Sequence, residues 1–132
     1  MKHPLIRKAV LDALKASAAP AATWFDGRPA ALDPQDLPAV AVYLTDAEST
    51  DESVDEDMWR ATLHIEVFLK GDDTDSALDG WMENNIYPVM VSIPALSGVL
   101  ETMSAQGYDY QRDDEMATWG SADLKYSISY VM

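Results

Sequence analysis

The reactive inventory of this chain is narrow: two histidines, twenty-three carboxylates and no cysteine. Thiol catalysis, disulfides and thiolate metal sites are therefore excluded, and no G-x-S-x-G or P-loop pattern supplies a hydroxyl nucleophile or a phosphate cradle. His64 and Glu66 alternate onto one strand face and together offer two donors to a divalent ion, but zinc-type sites need a third ligand, so the pair reads as an exposed pair on a strand. The acidic stretch GDDTDSALDGWME invites comparison with a calcium loop. Starting the loop at Asp73 puts Leu78 where glycine is required, and starting at Asp75 puts Ile86 at the bidentate position, so the motif fails. With so many carboxylates some pair will fall at glycosidase spacing by chance, and paired acids carry no information. The chain offers no catalytic residue and no metal ligand set, and it reads as a non-enzyme without a cofactor. A metal-dependent hydrolase built on the acidic clusters is the competing enzyme reading.

The charge is more informative than the chemistry. The formal net charge is -14 with a pI near 4.1, which disfavours a general grip on phosphate backbones or anionic lipid. Residues 1–30 carry five basic and two acidic groups, whereas 31–132 carry four and twenty-one, so the chain is electrically polar. Seven acids fall between Asp46 and Asp57 with no basic residue among them, and their repulsion predicts an extended loop, either a solvated linker between strands or a docking element. Four tryptophans lie on or beside elements with core periodicity. Trp119, after the turn Arg112–Glu115, reads either as core or as an interface anchor.

These groups must be held by a small scaffold. At 132 residues, with 48% hydrophobic and 24% charged residues, the chain has length for one core and the composition of a folded domain. No apolar run approaches membrane-spanning length and no signal-peptide core is visible at the N-terminus, which predicts a soluble protein with no membrane contact. Ile6, Ala9, Val10, Ala13 and Leu14 share one face of a helix predicted over 4–17. Thr23–Phe25 predicts a short strand, and the nearly continuous apolar run 39–45 a central one. From Met58 to Lys70 the alternation is regular: Trp59, Ala61, Leu63, Ile65, Val67 and Leu69 face a core, and Arg60, Thr62, His64 and Glu66 face away. This strand is long enough for one end to project with its attached loop. A second helix is expected near Asp75, kinked near 86–87 by Pro88, and a fresh one from Pro94 that uses Leu96, Val99, Leu100 and Met103 and stops at Gly107. Tyr108–Tyr110 and the alternating run 124–132 complete the strands. The order predicts an α+β domain over 1–132, a mostly antiparallel sheet of about five strands with helices packed on one face.

Taken in order, MKH at the start, FDGRPA (25–30), PAVAVYLT (38–45), LHIEVFL (63–69), IYPVM (86–90), IPALS (93–97), GYDY (107–110), RDD (112–114) and SADL (121–124) resemble the minor tail protein U family of lambda-like phages, the tail terminators. The resemblance implies a structural virion protein of the tail, assembled in the bacterial cytoplasm. Its members form a homo-hexameric ring on the end of the tail tube, stop polymerisation of the tube protein, and present a surface for a head-completion or connector protein. DNA is expected to pass through the ring without specific binding, an acidic lumen repelling its backbone. Another head-tail junction ring, or an acidic DNA mimic that inhibits a host enzyme, are the competing assignments. In a ring each subunit presents two different faces to its neighbours. Charge polarity then makes Arg7, Lys8 and Arg28 candidates to meet Asp46, Glu48, Asp51, Glu52, Asp55, Glu56 and Asp57 of the next copy, with Trp119 a further contact. Mg²⁺ is expected to favour the oligomer by screening and bridging carboxylates.

Overall fold

A computed structural model describes residues 1–17, 21–51, 56–73 and 75–132. Its scaffold is one five-stranded sheet in the order β1-β2-β3-β5-β4. The strands are β1 (Thr23–Asp26), β2 (Ala39–Ser49), β3 (Met58–Lys70), β4 (Thr102–Arg112) and β5 (Trp119–Val131). Only the β1–β2 pairing is parallel; the other three are antiparallel, as the α+β reading expects. Helix α1 spans Lys2–Ala16, with Pro4 in its first turn, where a missing N–H is harmless. A bent helical run follows β3: α2 (Asp75–Trp81), a π turn (Met82–Ile86) and α3 (Tyr87–Met90). Pro88 cannot donate to the helical ladder, and the wider π turn just before it absorbs the kink.

Both helical layers lie on one face of the sheet. Ile6, Val10 and Leu14 from α1, with Leu78, Met82, Ile86 and Met90 from the bent run, bury against Leu63, Ile65 and Val67 of β3 and Leu124, Ile128 and Tyr130 of β5. The alternation of β3 delivers these residues to a single side, since successive side chains of a strand point to opposite faces.

The opposite face is not the solvated surface that the alternation suggests. His64, Glu66 and Phe68 of β3 are buried, as are Tyr43 of β2 and Ser121 and Asp123 of β5. A small second cluster of Ala39, Ala41, Tyr43 and Phe68 forms there, with Phe25, Leu32, Leu37 and Trp119 packed around it. The segment between β1 and β2 covers this part of the sheet, so a strand expected to have one buried face has two over its second half.

Three further expectations are corrected. The acidic segment is not wholly loop: β2 runs on to Ser49, with Glu48 opposite Arg60 and a register shift between Thr45 and Glu48, where Asp46 adopts a φ of 58°. The end of β3 does not project alone, because β5 pairs with it along its whole length, from Met58↔Val131 to Lys70↔Trp119. No second long helix follows Pro94. That segment is a single 3-10 turn (Pro94–Leu96), and Met103 and Gly107 belong to β4. Gly107 marks a bulge there, with a φ of 129° that favours glycine.

Candidate functional site

The candidate residues distribute over two sides of the sheet. Arg7 and Lys8 leave α1 on the helical side. Arg7 donates to Asp26 at 2.5 Å and Lys8 to Asp12 at 2.5 Å, both partners within the same chain. Arg28 lies on the opposite side, its guanidinium 5.5 Å from the centre of the Tyr43 ring. The structure brings Arg28 together with Trp119: the two line a hollow of about 310 Å³ with Leu32 and Phe68, and Trp119 meets Phe68 edge-on at 5.2 Å. Trp119 is half-buried in that position and belongs to the second cluster.

The acidic candidates gather at one end of the β2–β3 hairpin. Glu48 accepts from Arg60 at 2.7 Å, and Asp57 accepts from the Trp59 indole at 2.8 Å while its carbonyl receives the Met132 N–H. Asp51 has a φ of 57° just beyond β2 and is exposed, as is Glu56. Glu52 and Asp55 lie outside the described residues. Asp46 accepts from Thr45 at 3.1 Å.

Behind Arg28 runs a polar network that the sequence reading missed. Tyr43 stacks on His64 with centroids 4.5 Å apart and planes 8° from parallel. Its hydroxyl donates to Glu66 at 2.7 Å, and Ser121 donates to the other Glu66 oxygen at 2.6 Å. His64 Nδ1 donates to Asp123 at 2.9 Å, and Nε2 lies 2.6 Å from the Thr45 hydroxyl. Both imidazole nitrogens of the His64–Glu66 pair are thus engaged, and the pair is buried rather than exposed. Burial, and secondarily the bond to Glu66, pushes the Tyr43 hydroxyl well above its ordinary pKa. Among the described residues no group of three or more His, Cys, Asp or Glu is arranged to hold a metal ion. The signal for this network was present in the sequence as polar residues alternating with Phe68 on β3, a large apolar side chain that a solvated face would not carry.

On the helical side, β4 is tied to α2 through Asp79, which accepts from Tyr108 at 2.8 Å and from Tyr110. The bond to Asp79 holds the Tyr110 hydroxyl above the usual tyrosine range. Lys125, paired with Asp109 across the β4–β5 ladder, is likewise held above its ordinary value.

The sequence has named relatives, and the fold has a known counterpart. The chain matches the family described as phage minor tail protein U over residues 1–130. It belongs to that family. Two relatives, each called tail tube terminator protein, come from Escherichia phages N15 and lambda. Each is 59% identical over 132 residues, covering 100% of this chain and 100% of its own. A chain from the virion of a native gene transfer agent particle has the same fold, with a TM-score of 0.56 at 16% identity, covering 96% of this chain and 95% of that one. No helix among the described residues is long and apolar enough to cross a membrane.

Proposed function

We propose that this chain is a tail tube terminator: copies of it close into a ring on the end of a finished phage tail tube, stop further addition of tube subunits, and present the surface on which the head joins. End-to-end identity of 59% with two proteins of that name carries the reading. A ring of six copies, the number the family resemblance implies, uses opposite faces of each subunit, and the chain is charged in a way that suits this. Residues 1–30 have a net charge of +3, whereas residues 31–132 have -17. Arg28 and Trp119, sharing one hollow, and the acidic end of the β2–β3 hairpin are the contact candidates on the side of the sheet away from the helices. The role is structural rather than enzymatic, exercised in the virion tail after assembly in the host cytoplasm. Mg²⁺ favours the ring, and DNA crosses its acidic lumen without being gripped.

The test is tube length. The tube protein that accompanies this chain is polymerised alone and with it, and lengths are measured by negative-stain electron microscopy. Capped tubes with a ring at one end and a shorter, narrower length distribution are expected. Lengths unchanged by the added chain overturn the proposal.

A further inference from the structure

The bonds around His64 fix a count of protons. The ring is 8% exposed and engaged at both ends, Nδ1 with Asp123 at 2.9 Å and Nε2 with the Thr45 hydroxyl oxygen at 2.6 Å. That same hydroxyl donates to Asp46 at 3.1 Å. A threonine hydroxyl has one proton to give. When it goes to Asp46, the Thr45 oxygen can only accept from His64, so Nε2 must carry a proton. Nδ1 faces a carboxylate, which when ionised accepts and does not donate, so Nδ1 carries one too. The three bonds therefore coexist only on a doubly protonated ring. A proton placed on Asp123 instead of Nδ1 leaves the total for the pair unchanged. With one proton fewer, Nε2 becomes the acceptor, the Thr45 hydroxyl turns to it, and the bond to Asp46 is lost.

The two ends of this chain of bonds differ in their freedom. Asp123 is buried opposite Glu66, whose oxygens are taken by Tyr43 and Ser121, and among the described residues no buried side-chain nitrogen or oxygen lacks a partner. Asp46 is exposed and has a φ of 58°, in the register shift that follows the pair Thr45↔Thr62. A change at His64 is met at the end that can move, the surface carboxylate.

Groups of both signs face the ring. Tyr43 stacks on it from β2, and Asp123 and Lys125 approach from β5, with Lys125 directly opposite His64 in the ladder and paired with Asp109 of β4. Glu66 lies two residues along β3, and Arg28, from the segment after β1, lies 5.5 Å from the centre of the Tyr43 ring. Asp123, Glu66 and Asp46 favour the second proton, whereas burial, Lys125 and Arg28 oppose it.

We propose that His64 and Thr45 form a proton-operated latch on Asp46. As the pH falls and the ring takes its second proton, the Thr45 hydroxyl turns to Asp46 and holds that carboxylate against β2. As the pH rises and the proton leaves, the hydroxyl returns to Nε2 and the carboxylate is released. Asp46 stands at the acidic end of the β2–β3 hairpin, so the released form is the one free to meet a cation of the next copy. That consequence rests on the ring reading above; the latch itself does not.

The test is made on the single chain in low-salt solution, so its failure and the failure of the ring reading are distinct results. The His64 ring nitrogens and the Asp46 side-chain carboxyl carbon are followed by NMR between about pH 5 and about pH 8.5, a range that spans an ordinary histidine titration and lies above that of an aspartate. A step in the Asp46 carbon shift is expected at the His64 midpoint. Thr45→Ser keeps a hydroxyl and should keep the shared step. Thr45→Val and Thr45→Ala lack it and should each lose the step while His64 still titrates; Thr45 is half-buried, and either variant that retains the circular dichroism spectrum of the parent serves. An Asp46 carbon that is silent at the His64 midpoint in the wild type overturns the latch, as do ring nitrogens that hold one state throughout. A step that persists without the hydroxyl overturns it too, since the charge on His64 then acts on Asp46 through space alone.

Discussion

At the scale of single residues, the polar network beneath Arg28 is where chemistry and stability meet. Glu66 is 1% exposed and Asp123 3%, and the two sit directly opposite one another across the β3–β5 ladder. Two buried carboxylates side by side persist only because each has its own donors: Tyr43 and Ser121 for Glu66, His64 for Asp123. His64→Ala removes the donor to Asp123 and the ring that stacks on Tyr43, and leaves a buried charge without its partner. Urea unfolding should show a loss of about 3 kcal/mol. Glu66→Ala strands two hydroxyls instead of a charge and should cost less, about 2 kcal/mol. His3 makes a different case. Its ring lies 2.6 Å from the Tyr130 hydroxyl, and burial, with Arg7 second, holds its pKa below 6.5. The folded chain thus disfavours the protonated ring, and the stability from this residue is complete above about pH 6.5 and falls away as the pH drops through the lowered folded value. Comparing urea midpoints of wild type and His3→Gln between about pH 7.5 and about pH 5.5 isolates it; the wild type should lose more. The sequence placed His64 and Glu66 on the correct face but not in the interior, because the segment that packs on that face beside them, through Leu32 and Leu37 against Tyr43 and Phe68, has no periodic pattern of its own.

Elements that bury one face were legible, and those that bury none were not. The bounds of β3 follow from its alternation alone, and α1 and α2 from their apolar spacing and the acids that precede α2. Strand β4 escaped recognition over most of its length because it is a sheet edge exposed on nearly every residue, with only Met103 and Tyr108 half-buried. With no face to bury, it has no alternation to display, and the helical spacing of Leu96, Val99, Leu100 and Met103 instead joins a 3-10 turn to the start of a strand. The acidic end of β2 was hidden for the related reason that like charges obscured the ladder with β3. The turn after β3 shows how the elements are locked together. Gly71 packs directly on the backbone of Ala117 in the β4–β5 connection, so an added methyl meets a carbonyl that cannot swing aside, whereas a methyl at Gly120 meets the flexible side chain of Arg112. Gly71→Ala is therefore expected to destabilise by about 2 kcal/mol or more, and Gly120→Ala by less than half of that. Thermal unfolding of the two variants side by side checks the order, and equal losses would sink the argument.

For the whole molecule, charge is the property most visible in the sequence and the one that most constrains assembly. A chain of -14 repels its copies, and six of them would gather -84 formal charges in one ring. The asymmetry between the N-terminal thirty residues and the rest was readable from composition. Which surfaces meet was not, because heterologous contacts use residues that are exposed in the single chain and leave no burial pattern in its sequence. Much of the positive charge is also engaged internally, as Arg7 with Asp26 and Lys8 with Asp12 show. Ring closure must therefore overcome a net repulsion with apolar contact and a few opposed charges, each exposed pair adding at most about 1 kcal/mol. Counterions decide the balance. At physiological ionic strength the screening length is about 8 Å, and a divalent cation both screens and bridges carboxylates. Low-salt solution should hold the chain as monomer, and millimolar Mg²⁺ should shift it to a ring at protein concentrations where NaCl of equal ionic strength shifts it less. Neutralising exposed acids outside the proposed contacts, Asp72, Asp114 and Glu115, to Asn, Asn and Gln should lower the Mg²⁺ concentration at the midpoint of that transition, since less repulsion then remains to be screened. Sedimentation velocity reads all three states, and a single species that is indifferent to Mg²⁺ across a wide protein concentration range would show that repulsion among subunits does not control closure.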